Sequence, residues 1–224
     1  MNNFTHTPRT TLATDYPRFQ AVMDQWGYNW EAIKVTTDDH YILSTFHVLG
    51  KKGSTQKATQ GSVLIQHGDL EDGASWMANY KTQPFHLKLV DAGYDVWIGN
   101  NRGTMYSWGH TTLNAATDPE YWDWTWADMG LYDDTANIKA IKAKMGVDKI
   151  FYLGYSQGTA QMHYGMAKLE SSFHSKYLHK VVQLAPCFVP HVPNFSKDYA
   201  NSTIMQFQSI GVYSINGPTW DTDL

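Results

Sequence analysis

The chain has little with which to lock itself covalently: Cys187 is its one cysteine in 224 residues. That excludes an intrachain disulfide and any thiol pair with zinc-site spacing, so no metal or other cofactor is expected and the compartment cannot be read from cysteine. Cys187 itself is expected as a small buried apolar residue. Long apolar runs are also missing, and none approaches the ~20 residues of a membrane-spanning helix. Lys and Arg number 17 against 21 Asp and Glu, a formal net charge of -4, with no basic cluster. Phosphate backbones are held by concentrated Lys and Arg, so a nucleic-acid partner is not expected. Residues 1–20 carry no apolar segment flanked by basic residues, so no secretory signal is visible there. The short sequons at Asn3, Asn194 and Asn201 are glycosylation acceptors only on a secretory route.

What the chain does have is apolar mass, 42% of residues with 14% aromatic, enough for one sizeable core and one globular domain. Ile33 to Thr36 and Tyr41 to Val48 flank Asp38 and Asp39 as an opening β-hairpin. A polar stretch from Gly50 to Gly61 leads to a buried-looking strand, Ser62 to Gln66, which ends in His67 and Gly68. Pro84 to Ala92 is expected as a short helix with Phe85 and Leu89 one turn apart, closed by Gly93. Asp95 to Gly99 follows as a strand. Ile138, Ile141 and Met145 recur at helical spacing after Asp133 and Asp134, and Gly146 ends that helix. Further strands are expected at Lys149 to Leu153 and His179 to Leu184. Strands alternating with helices predict parallel crossovers: an α/β fold, its mostly parallel sheet covered by helices on both faces.

The chemistry concentrates at Gly154-Tyr155-Ser156-Gln157-Gly158, directly after the strand ending at Leu153 and before a helical stretch from Thr159 to Leu169. A serine that attacks a carbonyl needs its oxygen exposed on a sharp strand-to-helix turn, and glycines two positions to either side let neighbouring backbones approach that bend. Ser156 is therefore the candidate nucleophile. The pentapeptide alone is equally compatible with a loop that does no chemistry. The His67-Gly68 strand end shifts the balance, because a tetrahedral oxyanion needs two N–H donors, one after the nucleophile and one from a loop after an earlier strand. Gln157 and Asp69 occupy those positions. His67 is read as structural. The stretch from Asn101 to Trp126, rich in Trp, Tyr and Gly, has two readings: an apolar wall for an acyl chain or lipid, or a packed irregular loop.

Trp26-Gly27-Tyr28, the hairpin from Val35 to Leu43, Gln66-His67-Gly68, Asp91 to Asn100, Arg102-Gly103 and Ser156 to Thr159 together resemble the acid lipases, the family of lysosomal acid lipase and gastric lipase. The resemblance runs from about Tyr16 to Pro186. It implies an α/β-hydrolase fold, cleavage of neutral lipid esters such as triglycerides or sterol esters, and a secreted or lysosomal location. It also implies a core over 1–186 and, over 187–224, the beginning of a lid-bearing cap. Carried over by position, Ser156 is the nucleophile, with Gln157 and Asp69 giving the oxyanion amides.

Three departures stand against this. The family usually has an apolar residue at the position of Asp69, and commonly histidine at that of Tyr155. The third concerns the base: in this fold Ser, then Asp or Glu, then His follow in order. Downstream of Ser156 stand His163, His174, His179 and His191, with Glu170 the one acid before the last of them; Asp198, Asp221 and Asp223 have no histidine after them. The sheet is therefore expected to be incomplete at its carboxyl-terminal end, its open edge covered by a protein partner or a further carboxyl-terminal portion. Two functions follow: an ester hydrolase acting through acyl-Ser156, or a catalytically silent lipase-like subunit that serves assembly or lipid binding.

Overall fold

Residues 38–39 turn the chain between two long strands, β1 (Tyr28–Thr36) and β2 (Tyr41–Lys51). They pair antiparallel, with a bulge between Asn29 and Trp30. The hairpin begins earlier than expected because Tyr28, Trp30 and Ala32 continue the inward alternation. A computed structural model describes residues 16–78 and 81–187. It opens on a helix that the sequence pattern did not announce, α1 (Pro17–Trp26), with Pro at its start, Gly27 in the left-handed region at its end, and Phe19 and Met23 on one buried face.

β3 (Ser62–Gln66), α2 (Phe85–Asp91), β4 (Asp95–Ile98) and the short β5 (Gly109–His110) follow. A helical turn, α3 (Trp126–Asp128), passes through a π turn at Met129–Asp133 into α4 (Asp134–Met145). Then come β6 (Ile150–Tyr155), α5 (Gln157–Lys168), α6 (Ser172–Tyr177) and β7 (Leu178–Leu184). The strands form one sheet in the order β1-β2-β4-β3-β6-β7, with β5 on β2. Pairing is parallel from β4 through β3 and β6 to β7 and antiparallel where β2 meets β1, β4 and β5.

β3 shows why the sheet needs cover on both sides. Val63 and Ile65 enter a cluster with Phe19, Met23 and Leu87 of α1 and α2. Leu64, between them, enters another with Ile138, Ile141 and Met162 of α4 and α5. Each such aliphatic side chain contributes about 1.5–3 kcal/mol on full burial, which suits a central strand with no polar alternation. The predicted helix faces need correction in detail. In α2 the buried residues are His86 and Leu87, while Phe85 is 40% exposed. In α4 Ile138 and Ile141 are buried but Met145 lies at the last turn and is exposed.

The aromatic stretch of residues 101–126 packs as an irregular loop. Tyr121 is fully buried with Val35, Tyr41 and Leu43, and Trp108, Trp122 and Trp124 lie against them, so most of these rings cover the hairpin rather than wall a cavity. Trp126 is the exposed one. Cys187 is half-buried. No helix among the described residues is long and apolar enough to cross a membrane. The expected cap, His191, the three later aspartates and all three sequons lie outside the described residues.

One ion cluster joins the hairpin to the rest. Arg102, 1% exposed, gives its guanidinium to both oxygens of Asp39 at 2.6 and 2.9 Å and to Asp133 at 2.9 and 2.8 Å. Its backbone N–H also reaches Asp133 Oδ2 at 2.9 Å. Burial opposes the guanidinium charge, but the Asp133 and Asp39 carboxylates more than offset this and hold it firmly protonated. Removing the cation would leave Asp133 fully buried with no partner for its charge. Arg102→Ala is therefore expected to cost about 3–5 kcal/mol of unfolding free energy in a urea titration.

Candidate active site

β6 ends at Tyr155, and the chain turns into α5 through the single residue Ser156. Ser156 has φ 49° and ψ −116°, a region that costs a non-glycine residue about 1–3 kcal/mol and persists only where the surroundings over-determine it. They do so here. The Ser156 N–H donates to Leu184 O of β7 at 3.0 Å, and its carbonyl accepts from the Thr159 N–H at 2.9 Å and Thr159 Oγ1 at 2.7 Å. Thr159 Oγ1 also accepts from the Cys187 N–H at 2.8 Å, tying the end of β7 to the same turn.

The two flanking glycines are required by backbone contact. A Cβ on Gly154 would lie 2.6 Å from Gly158 O, and one on Gly158 would lie 2.8 Å from both Gln66 O and His67 O. The end of β3 thus rests directly on the first turn of α5, and Gly68 in turn faces the serine, where its own Cβ would meet Ser156 Cβ at 3.1 Å. The predicted site residues are brought together: Ser156, Gln157, Gly154 and Gly158 in the turn, with Asp69 next to Gly68 in the facing loop. Neither the Asp69 N–H nor the Gln157 N–H has an acceptor among the described residues. Gln157 opens α5, so the positive end of that helix dipole points into the same space.

His67 is structural, as expected, and its bonds fix its state. It is buried, with Nδ1 2.7 Å from Gly68 O and Nε2 accepting from the Asn101 N–H at 3.1 Å. An acceptor role for Nε2 puts the proton on Nδ1 and makes the ring neutral. Burial pushes its pKa down to about 4, the Gly68 carbonyl opposing only in part.

The loop carries more negative charge than an oxyanion site favours. Asp69 is exposed and its Oδ1 turns back to the Leu70 N–H at 3.0 Å. Glu71, which the motif reading passed over, accepts from the Gly68 N–H at 2.9 Å; its place three residues beyond Gly68 was the available sign. Tyr155 is 38% exposed and sits edge-on to Trp76 at 6.4 Å. Trp76 in turn lies 6.0 Å from Phe85. Tyr155 directly precedes Ser156, so this row of rings starts at the turn and leads away from it.

No histidine among the described residues meets Ser156. Its hydroxyl has no hydrogen-bond partner among the described residues. His163 bonds to the Gln183 side chain, His174 lies on α6, and His179 lies against the Phe151 ring at 5.2 Å. Glu170 follows α5 and accepts from Ser172 Oγ, with Asp38 and Lys139 lining the same small surface cavity of about 320 Å³. The helix carries it away from the turn, as the sequence predicted.

Beneath the turn lies a buried polar network that the sequence reading missed. Asn101 Oδ1 accepts from Gln66 Nε2 at 2.9 Å, and Asn101 Nδ2 donates to Gln161 Oε1 at 3.0 Å. Gln161 Nε2 donates to Asp134 Oδ1 at 2.9 Å. The Tyr152 hydroxyl stands between Asp134 and Gly158 O, 2.8 Å from the latter. Five elements of the fold meet in it.

A strained serine between a central parallel strand and a helix, its glycines in backbone contact with the end of the neighbouring strand, has the strand–turn–helix geometry found in the α/β-hydrolase fold. The chain matches "alpha/beta hydrolase fold" over residues 61–209 and belongs to that family. Residues 19–80 also match "Partial alpha/beta-hydrolase lipase region". Its curated relatives are lipases. Lipase lipl-5 of Caenorhabditis elegans is 35% identical over 83% of this chain and 46% of the relative. Lysosomal acid lipase/cholesteryl ester hydrolase of Homo sapiens is 37% identical over 62% of this chain and 35% of the relative. The chain thus spans less than half the length of these relatives. Among solved structures, a Pyrococcus furiosus esterase, Pf2001, is similar with 17% identity over 69% of this chain and 51% of that one, at a TM-score of 0.49.

Two outcomes are expected from this geometry. Gly158→Ala forces a methyl group against two carbonyl oxygens and should cost about 1–3 kcal/mol in chemical denaturation. His67→Gln tests the neutral imidazole. From its ordinary 6.5 down to about 4, an unfolded His67 binds a proton that the folded one refuses, so its contribution to stability falls as pH falls through that window. His86, also lowered by burial to about 4, acts in the same direction. Asp133, raised by burial to about 6 against the pull of Arg102, acts oppositely. Those two remain in the variant. The stability of His67→Gln should therefore fall by up to about 1.4 kcal/mol less per pH unit than that of the wild type across the window.

Proposed function

We propose that this chain carries the nucleophile of a lipase-like carboxylic ester hydrolase that acts on neutral lipid esters, triglyceride or sterol ester, through an acyl-Ser156 intermediate. The observation that carries this is the backbone of Ser156, φ 49° and ψ −116° at the junction of β6 and α5, with Gly68 packed against its Cβ. In this reading Ser156 Oγ attacks the ester carbonyl carbon, and the oxygen that becomes negative is held by the Gln157 and Asp69 amides. The carbonyl re-forms as the alcohol leaves, and water then releases the acid from Ser156. The relatives' names support the lipid ester: one is a lysosomal acid lipase/cholesteryl ester hydrolase. The apolar border of Tyr155, Trp76 and Phe85 is a suitable surface for it.

Attack requires a base to take the hydroxyl proton and an acid to orient that base, and the described residues place neither beside Ser156. The reading therefore assigns both to groups outside them. The same groups would belong to whatever covers β7, which ends the sheet with Val182 and Leu184 exposed. The second function, a silent lipase-like subunit that binds lipid or a protein partner, is favoured by this one observation.

A fluorophosphonate probe and a short-chain nitrophenyl ester separate the two. If the hydrolase reading holds, the purified chain is labelled, Ser156→Ala is not, and ester turnover in the variant drops about a thousandfold or more. Labelling that is absent, or indifferent to Ser156→Ala, establishes the silent subunit instead.

A further inference from the structure

We propose that Asp134 is a neutral carboxylic acid that donates its proton to the Tyr152 phenolic oxygen, and that it acts as a positioning residue for the first turn of α5. The case is one of counting protons. A phenol has a single hydrogen and three acceptors surround it: Gly158 O at 2.8 Å, Asp134 Oδ2 at 3.2 Å and Asp134 Oδ1 at 3.3 Å. The shortest of these takes the hydrogen, because hydroxyl bonds cluster near 2.7–2.8 Å. The Asp134 contact is then a bond only if the proton in it comes from the carboxyl group.

The surroundings agree. Asp134 is 1% exposed, its one other donor is Gln161 Nε2 at 2.9 Å, and no cation among the described residues pairs with it. The titratable groups facing it are Tyr152 from β6 and the neighbouring Asp133, whose charge is committed to Arg102. An ionised Asp134 would be a buried carboxylate with one neutral donor beside a second negative charge, the arrangement least able to hold its charge. Burial above all, then Asp133, raises its pKa well above the ordinary value.

The bond has a direct mechanical consequence. Tyr152 holds the carbonyl of Gly158, the residue whose backbone touches Gly154, Gln66 and His67. A proton on Asp134 thus leaves the phenol hydrogen to hold the Gly158–Thr159 peptide plane, in the first turn of α5. The link to activity rests on Ser156 being the nucleophile; the protonation and the positioning do not.

Infrared difference spectroscopy on the full chain decides the first half. At about pH 8, where Asp133 is ionised, wild type minus Asp134→Asn should show the carbonyl stretch of a protonated acid. Loss of carboxylate bands instead would overturn the proposal. Asparagine keeps a donor for Tyr152 and an acceptor for Gln161, whereas Asp134→Leu keeps neither. Amide exchange in the first turn of α5 should therefore be within about twofold of wild type for Asp134→Asn and roughly tenfold faster for Asp134→Leu. Equal exchange in all three would overturn the positioning role. If wild-type Ser156 reacts with the probe, its labelling rate should follow the same order; if it does not, the nucleophile assignment fails while infrared and exchange still decide the role of Asp134.

Discussion

Three stretches of bare backbone meet at the centre of this molecule: the Gly154 end of β6, the Gly158 turn of α5, and the Gln66-His67 end of β3. No side chain intervenes, so the distances between sheet and helix are set by peptide groups and cannot relax by rotamer change. The strain at Ser156 is sustained by this contact. The helix cannot swing outward to relieve the serine because Gly130 and Gly165 bring its middle equally close to the π turn, where a Cβ on Gly130 would sit 2.1 Å from Gln161 O. A strained residue clamped on both flanks is what preorganisation amounts to in structural terms.

The two faces of the sheet are held by different physics from the end of it. Apolar side chains of β3, β4 and β6 fill clusters on either side, a non-directional force that tolerates some repacking. At the carboxyl ends of the strands Gln66, Asn101, Gln161, Asp134 and Tyr152 replace it with directional bonds. A buried polar network specifies geometry where an apolar one specifies only contact, at the risk that one missing partner is costly. Gln66 Oε1 is such a loose end, buried with no donor among the described residues.

What the sequence announced and what it hid divide along the same line. Gly154, Ser156 and Gly158 were legible because the turn is made by neighbours in sequence, and Asp69 because it follows a short strand that runs into His67-Gly68. The mostly parallel sheet and the cover on both faces followed from the alternation of strands and helices. The polar network was not legible, because Asn101 and Gln161 are 60 positions apart and Asn, Gln and Asp ordinarily mark surface. Asp133 and Asp134 look like acids at a helix start, and only the fold turns one toward Arg102 and the other toward Tyr152. For the aromatic loop the sequence left two readings open, and the packed one describes most of its rings, which fill the floor of the hairpin.

The strand order also dictates when the molecule can be finished. β3 lies between β4 and β6, so on a ribosome it acquires one neighbour early and waits for the other while the whole aromatic loop and α4 are made. Until β6 emerges, one edge of a strand that is buried along its whole length in the finished fold, with its Gln66 side chain, faces water. Arg102 grips Asp39, 63 residues behind it, and Asp133, 31 residues ahead of it, so its cluster closes only once the start of α4 is made. The nascent chain therefore carries β3 with one edge open until β6, the strand that leads into the Ser156 turn, is made, and an open strand edge of this kind is a natural point for chaperone attention.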